Sequence, residues 1–129
     1  MLLAGEDPVL AALRTQSRSA RIVREDRTEV GFFVVFRVPD DAPRVDGSPD
    51  FVLDDLAGEI DGLEGPARFL LSVRDGALDF LEGSVFGFRW PPEARIRRAY
   101  YLRRGPAGAN VVVESSSRDL DDLRRRWSA

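Results

Sequence analysis

The sequence predicts a single α+β domain over residues 1–129, built on a mainly antiparallel sheet of about five or six strands. Three observations predict this class. The chain has 129 residues, of which 43% are hydrophobic and 32% charged, and this is the size and balance of one globular domain. Its residue patterns follow the order helix, strands, helix, several strands, helix. A two-residue turn signal also joins two strand-type segments in the middle of the chain.

A short N-terminal helix is predicted to begin after Asp7. Aspartate is a strong N-cap, and Pro8 occupies the first helical position, where proline is favoured. We expect this helix to end within residues 14–19. The apolar residues that recur on one of its faces are Val9, Leu10 and Leu13.

Strand-type residues then occupy 21–26 and 29–38. The second segment is apolar on both faces, so we predict a central strand that is covered on both sides. It ends at Pro39, and residues 40–49 form a polar loop. The residues on its two faces are Phe32, Val34, Phe36 and Val38 on one and Phe33 and Val35 on the other.

Residues 48–63 fit two structures. Ser48-Pro49-Asp50 has the residues of a helix cap, and the segment carries a helical stripe of apolar residues. Part of the same set also shares the parity of a strand. Two adjacent aspartates, Asp54 and Asp55, disfavour a strand, so we expect a middle helix that ends at Gly62 or Gly65. The stripe consists of Val52, Leu56, Ile60 and Leu63, and the residues of strand parity are Val52, Leu56, Gly58 and Ile60.

A β-hairpin is the clearest local prediction. Segments 68–74 and 77–82 flank Asp75-Gly76, a pair that suits the type I′ turn because both of its central residues need positive φ. The register that follows from this turn puts an apolar row on one side of the hairpin, with Glu82 at its far end. The facing pairs of this row are Val73 with Leu78, Leu71 with Phe80, and Phe69 with Glu82.

Beyond the hairpin, Gly83 and Gly87 are expected to loosen the strand as bulges, and Pro91-Pro92 to end it. Residues 95–103 alternate as a further strand, 105–110 form a turn, and 111–114 form a short strand. A C-terminal helix follows, capped by Ser116 or Ser117. Its apolar face consists of Leu120, Leu123 and Trp127.

The chain contains no His, Cys or Lys, so all 19 of its positive side chains are Arg. This composition excludes Ser-His-Asp and Cys-His nucleophile pairs, Schiff-base lysines, Walker-type phosphate lysines and Cys/His zinc sites. We therefore expect a non-enzymatic protein without a cofactor. The net charge of -3 gives no global field that attracts nucleic acid. An acidic start without a basic leader, and no long apolar run, predict a cytoplasmic protein that does not enter the membrane.

Glu82 is the carboxylate of greatest chemical interest. At core parity its burial would be costly unless it were paired or hydrogen-bonded. It is therefore either a structural carboxylate held by an arginine or backbone amides, or a general acid/base or ligand contact in a pocket. Asp79 falls on the opposite face of the predicted hairpin, so adjacency gives Glu82 no second acid. The acidic residues of 54–64 and 119–122 lack the spacing of a metal-binding loop, so we expect no metal site.

Arginines and aromatic residues are combined in the C-terminal third. Such residues provide contact area and bidentate hydrogen bonds and are typical of hot spots in protein interfaces. The same mixture could stack on single-stranded nucleic acid, but the negative net charge and the absence of a nucleic-acid-binding motif favour a protein partner. The predicted contact residues are Trp90, Tyr100, Tyr101, Arg97, Arg98 and Arg103.

Residues 29–33 (EVGFF), residues 69–83 (FLLSVRDGALDFLEG) and Trp90-Pro91 together resemble a group of small uncharacterised bacterial proteins. Some of these are suspected to be immunity or accessory factors of toxin systems. The resemblance brings no catalytic residues with it, and it implies a small non-enzymatic protein.

The sequence thus favours a small bacterial protein that acts by binding another protein, with a toxin as the partner that the resemblance implies. Homodimerisation through an exposed strand edge is a variant of this hypothesis. Two alternatives stay open. One is a carboxylate-based enzyme or small-ligand binder centred on Glu82, and the other is a single-strand nucleic-acid binder that uses the C-terminal arginines.

Overall fold

The computed structural model describes residues 1–104 and 112–128. Their strands form one antiparallel sheet in the order β1-β2-β5-β4-β3-β6-β7, so the predicted α+β class is confirmed. The described strands number seven rather than five or six, because the predicted middle helix is a strand. The predicted turn over 105–110 lies outside the described residues. The elements are α1 (Pro8–Ser19), β1 (Arg21–Thr28), β2 (Gly31–Arg37), β3 (Phe51–Ile60), β4 (Pro66–Arg74), β5 (Ala77–Val85), β6 (Ile96–Arg104), β7 (Val112–Ser115) and α2 (Leu120–Trp127).

The prediction of a helix over 48–63 is wrong because a β-bulge imitates helical spacing. Leu53 pairs with Leu71 and Leu56 pairs with Phe69, so Asp54 and Asp55 together oppose a single residue of β4. The extra residue changes the parity of β3, and Leu53 and Leu56 therefore point to the same face although they are three positions apart. Val52, which the helical stripe included, is exposed.

The bulge directs Asp55 into the protein, where it meets Arg118. Nε and Nη2 of Arg118 donate to the two carboxylate oxygens of Asp55 at 2.8 and 2.9 Å. The side chains of this ion pair are only 4% and 7% exposed. Arg118 also donates to the carbonyl of Ala4 at 2.8 Å, and its guanidinium lies 4.8 Å from the centroid of the Tyr101 ring. One arginine thus connects the N-terminal segment, the centre of the sheet and the segment that leads into α2.

Both helices pack on the same side of the sheet, which we call the helix face. Leu10 and Leu13 of α1 and Leu123 of α2 are buried there against the first half of β3 and the hairpin of β4 and β5. The opposite side, the open face, carries Phe33 and Phe80, whose ring centroids are 4.7 Å apart. No described element packs on the open face, so the prediction that β2 is covered on both sides is wrong. The strand residues in the core under the helices are Phe51, Leu53, Leu71, Val73 and Leu78.

The hairpin prediction is correct for the turn but wrong for part of the register. Asp75 and Gly76 have φ values of 51° and 70°, and Val73 pairs with Leu78 as expected. A bulge then inserts Asp79, which accepts a hydrogen bond from the Ser72 hydroxyl at 3.3 Å. Each later residue of β5 is therefore shifted by one position. The shifted pairs are Leu71 with Leu81, Phe69 with Gly83, and Leu70 with Glu82.

A buried glutamine of α1 fixes the position of this hairpin. Gln16 is completely buried, and its amide nitrogen donates to the carbonyls of Pro43 and Gly76 at 2.9 and 2.8 Å. Its amide oxygen accepts from the backbone N–H of Leu78 at 3.0 Å. Because an unsatisfied buried amide is costly, these three bonds specify how α1 sits on the turn.

Both terminal helices are confirmed, although the cap of one differs from the prediction. Asp7 caps α1 by accepting from the N–H of Val9 at 2.8 Å, as the sequence indicates. The cap of α2 is Asp119 rather than Ser116 or Ser117, and it accepts from the N–H of Asp122 at 3.1 Å. Neither helix has the length and apolar character that a membrane span requires.

Arg118→Met is expected to lower the free energy of unfolding by about 3–5 kcal/mol, because it leaves the buried carboxylate of Asp55 without a partner. Urea denaturation followed by circular dichroism measures the change. The matched control is Arg125→Met, which removes an ion pair of a side chain that is 69% exposed. It should cost less than about 1 kcal/mol. Equal costs for the two variants would contradict the structural role of Arg118.

Candidate protein-binding surface

An aromatic cavity opens on the helix face at the end of the sheet where β5 stops and β6 begins. Its volume is about 380 Å³, and its aromatic walls are Phe32, Phe69 and Trp90. The Trp90 ring meets Phe32 edge-on at 5.4 Å, and its backbone N–H donates to the carbonyl of Glu29 at 2.6 Å. Arg27, Pro92, Glu93, Ala94 and Ile96 complete the lining. The cavity therefore combines an apolar wall with one positive and one negative side chain.

Gly83 makes the aromatic wall possible. The Phe32 ring lies across this glycine, and a Cβ at position 83 would be 2.2 Å from Cε1 of Phe32. Gly83 pairs regularly with both neighbouring strands, so the prediction that it forms a bulge is wrong, and the bulge of β5 lies at Asp79. Gly83 allows the Phe32 ring to pack closely on the strand, and it does not bend the strand.

Large apolar side chains are exposed at the same end of the sheet. Phe86 is 96% exposed, and it precedes Gly87, whose φ of +79° turns the chain out of β5. We call Phe86, Phe88, Val30 and Ile96 the apolar rim, and the other three are 37%, 49% and 56% exposed. Single exposed apolar residues are common, but a cluster beside an apolar cavity is typical of an interaction site.

The contact surface that the sequence predicts includes Trp90 but not Phe86. A signal for it was present in residues 86–92, which read FGFRWPP. The glycine and the two prolines interrupt strand structure, so three aromatic residues fall in a segment that cannot bury them all in a sheet. Aromatic residues in such a loop are candidates for an interface.

The structure does not bring the predicted contact residues together in one patch. Tyr101 is buried in the core, and its hydroxyl donates to the carbonyl of Met1 at 2.7 Å. This burial raises the pKa of the Tyr101 phenol. Tyr100 lies on the open face, across the sheet from Trp90, and the guanidinium of Arg98 lies 4.7 Å from its ring centroid.

Two arginines of β6, Arg97 and Arg98, are held by carboxylates on neighbouring strands. Arg98 lies 2.9 Å from Glu59 and 3.1 Å from Glu114, and Arg97 lies 3.3 Å from Glu59. The hydrogen bond from Arg98 lowers the pKa of Glu59, and the positive charges of Arg98 and Arg97 add to this effect. Arg103 belongs elsewhere, because it is half-buried and donates to the carbonyl of Arg118 at 3.3 Å.

Glu82 lies on the open face and is exposed, so its predicted core-facing position is wrong. The bulge at Asp79 explains the difference, since a shift of one residue moves a side chain to the other face. Glu82 lines an open cavity of about 180 Å³ whose wall also includes Asp54, Arg68 and Ser84. A second acid and an arginine are therefore near it, although Asp54 is paired with Arg126.

The acidic segments meet arginines instead of one another. Asp122 contacts Arg126 at 3.1 Å, and Asp7 contacts Arg124 at 2.9 Å. Within 1–104 and 112–128, no group of three acidic side chains is placed to hold a metal ion.

Comparisons of the chain with family models, with curated proteins and with solved structures give no significant match.

Glu59→Gln is expected to destabilise the protein at neutral pH and to have little effect in acid. Because arginines lower the pKa of Glu59 below its ordinary 4.5, the folded protein binds this proton less readily than the unfolded chain. The stabilisation that ionised Glu59 gives is present above its ordinary pKa of 4.5, and it is lost as the pH falls through the lowered pKa of the folded protein. Urea unfolding at about pH 7 and about pH 3 should show the difference from wild type shrinking in acid. A difference that is the same at both pH values would contradict this role.

Proposed function

We propose that this protein acts without catalysis, by binding another protein through the aromatic cavity and the apolar rim. The observation that carries the proposal is Phe86, whose side chain is 96% exposed at the end of the sheet where a cavity of about 380 Å³ opens. A phenylalanine in that position is positioned to enter a partner, while the cavity can accept a side chain in return. Reciprocal insertion of this kind is typical of the central residues of protein interfaces.

The energy available at this surface supports a specific complex. Full burial of a phenylalanine side chain contributes about 1.5–3 kcal/mol, and the rest of the apolar rim adds to it. Arg27 and Glu93 stand at the same cavity and can orient a partner through opposite charges. We expect the partner to present an apolar side chain flanked by polar groups of both signs.

A protein is a better candidate than nucleic acid because the three arginines of α2 are engaged in ion pairs. Arg124 binds Asp7 at 2.9 Å, Arg125 binds Asp122 at 3.4 Å, and Arg126 binds Asp54. Single-strand binding needs arginines that line one groove and are available to phosphates. Arg124 instead connects α2 to the cap of α1, Arg125 makes a contact within α2, and Arg126 connects α2 to β3.

The narrower proposal is that the partner is a toxin and that this protein is its immunity or accessory factor. The likeness of residues 29–33, residues 69–83 and Trp90-Pro91 to small bacterial proteins supports it. Each of these three segments contains one residue of the cavity wall, namely Phe32, Phe69 and Trp90. A second copy of the chain is the alternative occupant of the same surface.

Glu82 supports a second candidate function, the binding of a small polar ligand on the open face. The specific observation is that Glu82, Asp54 and Arg68 line the same cavity of about 180 Å³. Glu82→Gln separates the two proposals, because it should leave protein binding through the aromatic end unchanged.

Phe86→Ser is expected to weaken partner binding by about 10- to 100-fold, because it removes the apolar area that the partner buries. The matched control is Ile22→Ser on the edge strand β1, where the isoleucine is 56% exposed. The partner is captured with the wild-type chain and its affinity for each variant is then measured by calorimetry. Trp90→Ala should weaken binding as well, since it removes a wall of the cavity.

The proposal fails if Phe86→Ser and Ile22→Ser have equal effects on the affinity. Light scattering of the chain by itself tests for a second copy, since a dimer that Phe86→Ser dissociates would identify that occupant. For a toxin, co-expression with the wild-type chain should restore growth of the host, and co-expression with Phe86→Ser should not.

A further inference from the structure

A second cleft lies at the opposite end of the molecule from Phe86, where β3 and β6 separate. The two strands pair from Ile60 and Ile96 as far as Leu56 and Tyr101. Beyond this point β6 pairs with β7 on its other side, while α2 packs against β3. The resulting β3–β6 cleft has a volume of about 160 Å³.

The wall of the β3–β6 cleft contains four arginines and four aspartates, and the aspartates are already engaged. Asp55 is held by Arg118 at 2.8 Å. Asp54 and Asp122 are both held by Arg126, the second at 3.1 Å. The fourth, Asp119, accepts from a backbone N–H as the cap of α2. Asp122 also contacts Arg125 at 3.4 Å, so three of the four carboxylates are paired with arginines and the fourth caps a helix.

Three arginines of the cleft have no such partner. Within the described ranges, Arg68, Arg103 and Arg104 have no carboxylate within the 4.0 Å of an ion pair. The Nε–H of Arg103 is moreover buried and has no acceptor among the described residues. A buried charged donor without an acceptor is costly, and native proteins rarely leave one unsatisfied.

We propose that the β3–β6 cleft binds an oxyanion group, a phosphate or a carboxylate, with Arg103 as the inner donor and Arg68 and Arg104 at its mouth. The guanidinium group suits this ligand, because its planar donors match two oxygens of a phosphate or carboxylate at once. A water molecule can accept from Nε, but it brings no negative charge to pair with the guanidinium groups of Arg68, Arg103 and Arg104. The site is independent of the aromatic end and of the proposed partner.

Inorganic phosphate is the first probe, and it is titrated into the intact protein by calorimetry, with chloride added to hold the ionic strength constant. We expect saturable binding with one site per chain and a rise in Tm. Arg103→Lys, which removes the Nε donor, should weaken binding about tenfold. Arg68→Gln and Arg104→Gln, at exposed positions that do not threaten folding, should weaken it several-fold.

The matched control is Arg89→Gln, which removes the same charge from a side chain that is 79% exposed. Equal weakening by Arg89→Gln and Arg68→Gln would overturn the proposal, because it would indicate a general charge effect. The proposal is also overturned if phosphate shows no saturable binding, or if none of the three cleft variants changes the affinity for phosphate. Acetate is the second probe: competition with phosphate indicates a site for either oxyanion, whereas binding of one probe without the other identifies the preferred class.

Discussion

A buried ion pair between Arg118 and Asp55 connects both ends of the chain to the centre of the sheet. Burial of two charges is costly, and it is sustained here because both carboxylate oxygens accept from Arg118, whose Nη1 also donates to the carbonyl of Ala4. The bulge of β3, the path of residues 1–4 and the approach to α2 all depend on this contact. Tyr101 completes it by covering the guanidinium with its ring.

The bulges in two neighbouring strands decide where the surface features lie. The bulge at Asp54 and Asp55 separates the first half of β3 from β6 and so opens the cleft beside Arg103. The bulge at Asp79 moves Glu82 to the open face. Neither bulge disturbs the far end of the sheet, where Phe32 lies across Gly83 and the aromatic cavity forms. The molecule thus carries an apolar surface at one end and a charged cleft at the other.

The composition gives these two surfaces their character. With 19 arginines and no lysine or histidine, every positive side chain offers a planar set of donors. Most of these sets hold the fold together, as Arg98 does between β3 and β7 and Arg124 does between the helices. At the cleft, Arg68, Arg103 and Arg104 lack carboxylate partners within the described residues, while the lining of the aromatic cavity is mostly apolar.

The sequence by itself determined the elements that local rules control. The Asp7-Pro8 start of α1, the Asp75-Gly76 turn and the apolar face of α2 follow from capping, positive φ and helical periodicity. Tertiary structure decided the rest. Residues 51–60 form a strand because they pair with β4 and β6, and their Asp55 meets Arg118, which is 63 positions away. No local pattern contains that information. The sequence likewise does not distinguish the buried Tyr101 from the adjacent Tyr100, or predict that Phe86 is exposed. Whether an aromatic ring is buried depends on segments that are distant in the sequence.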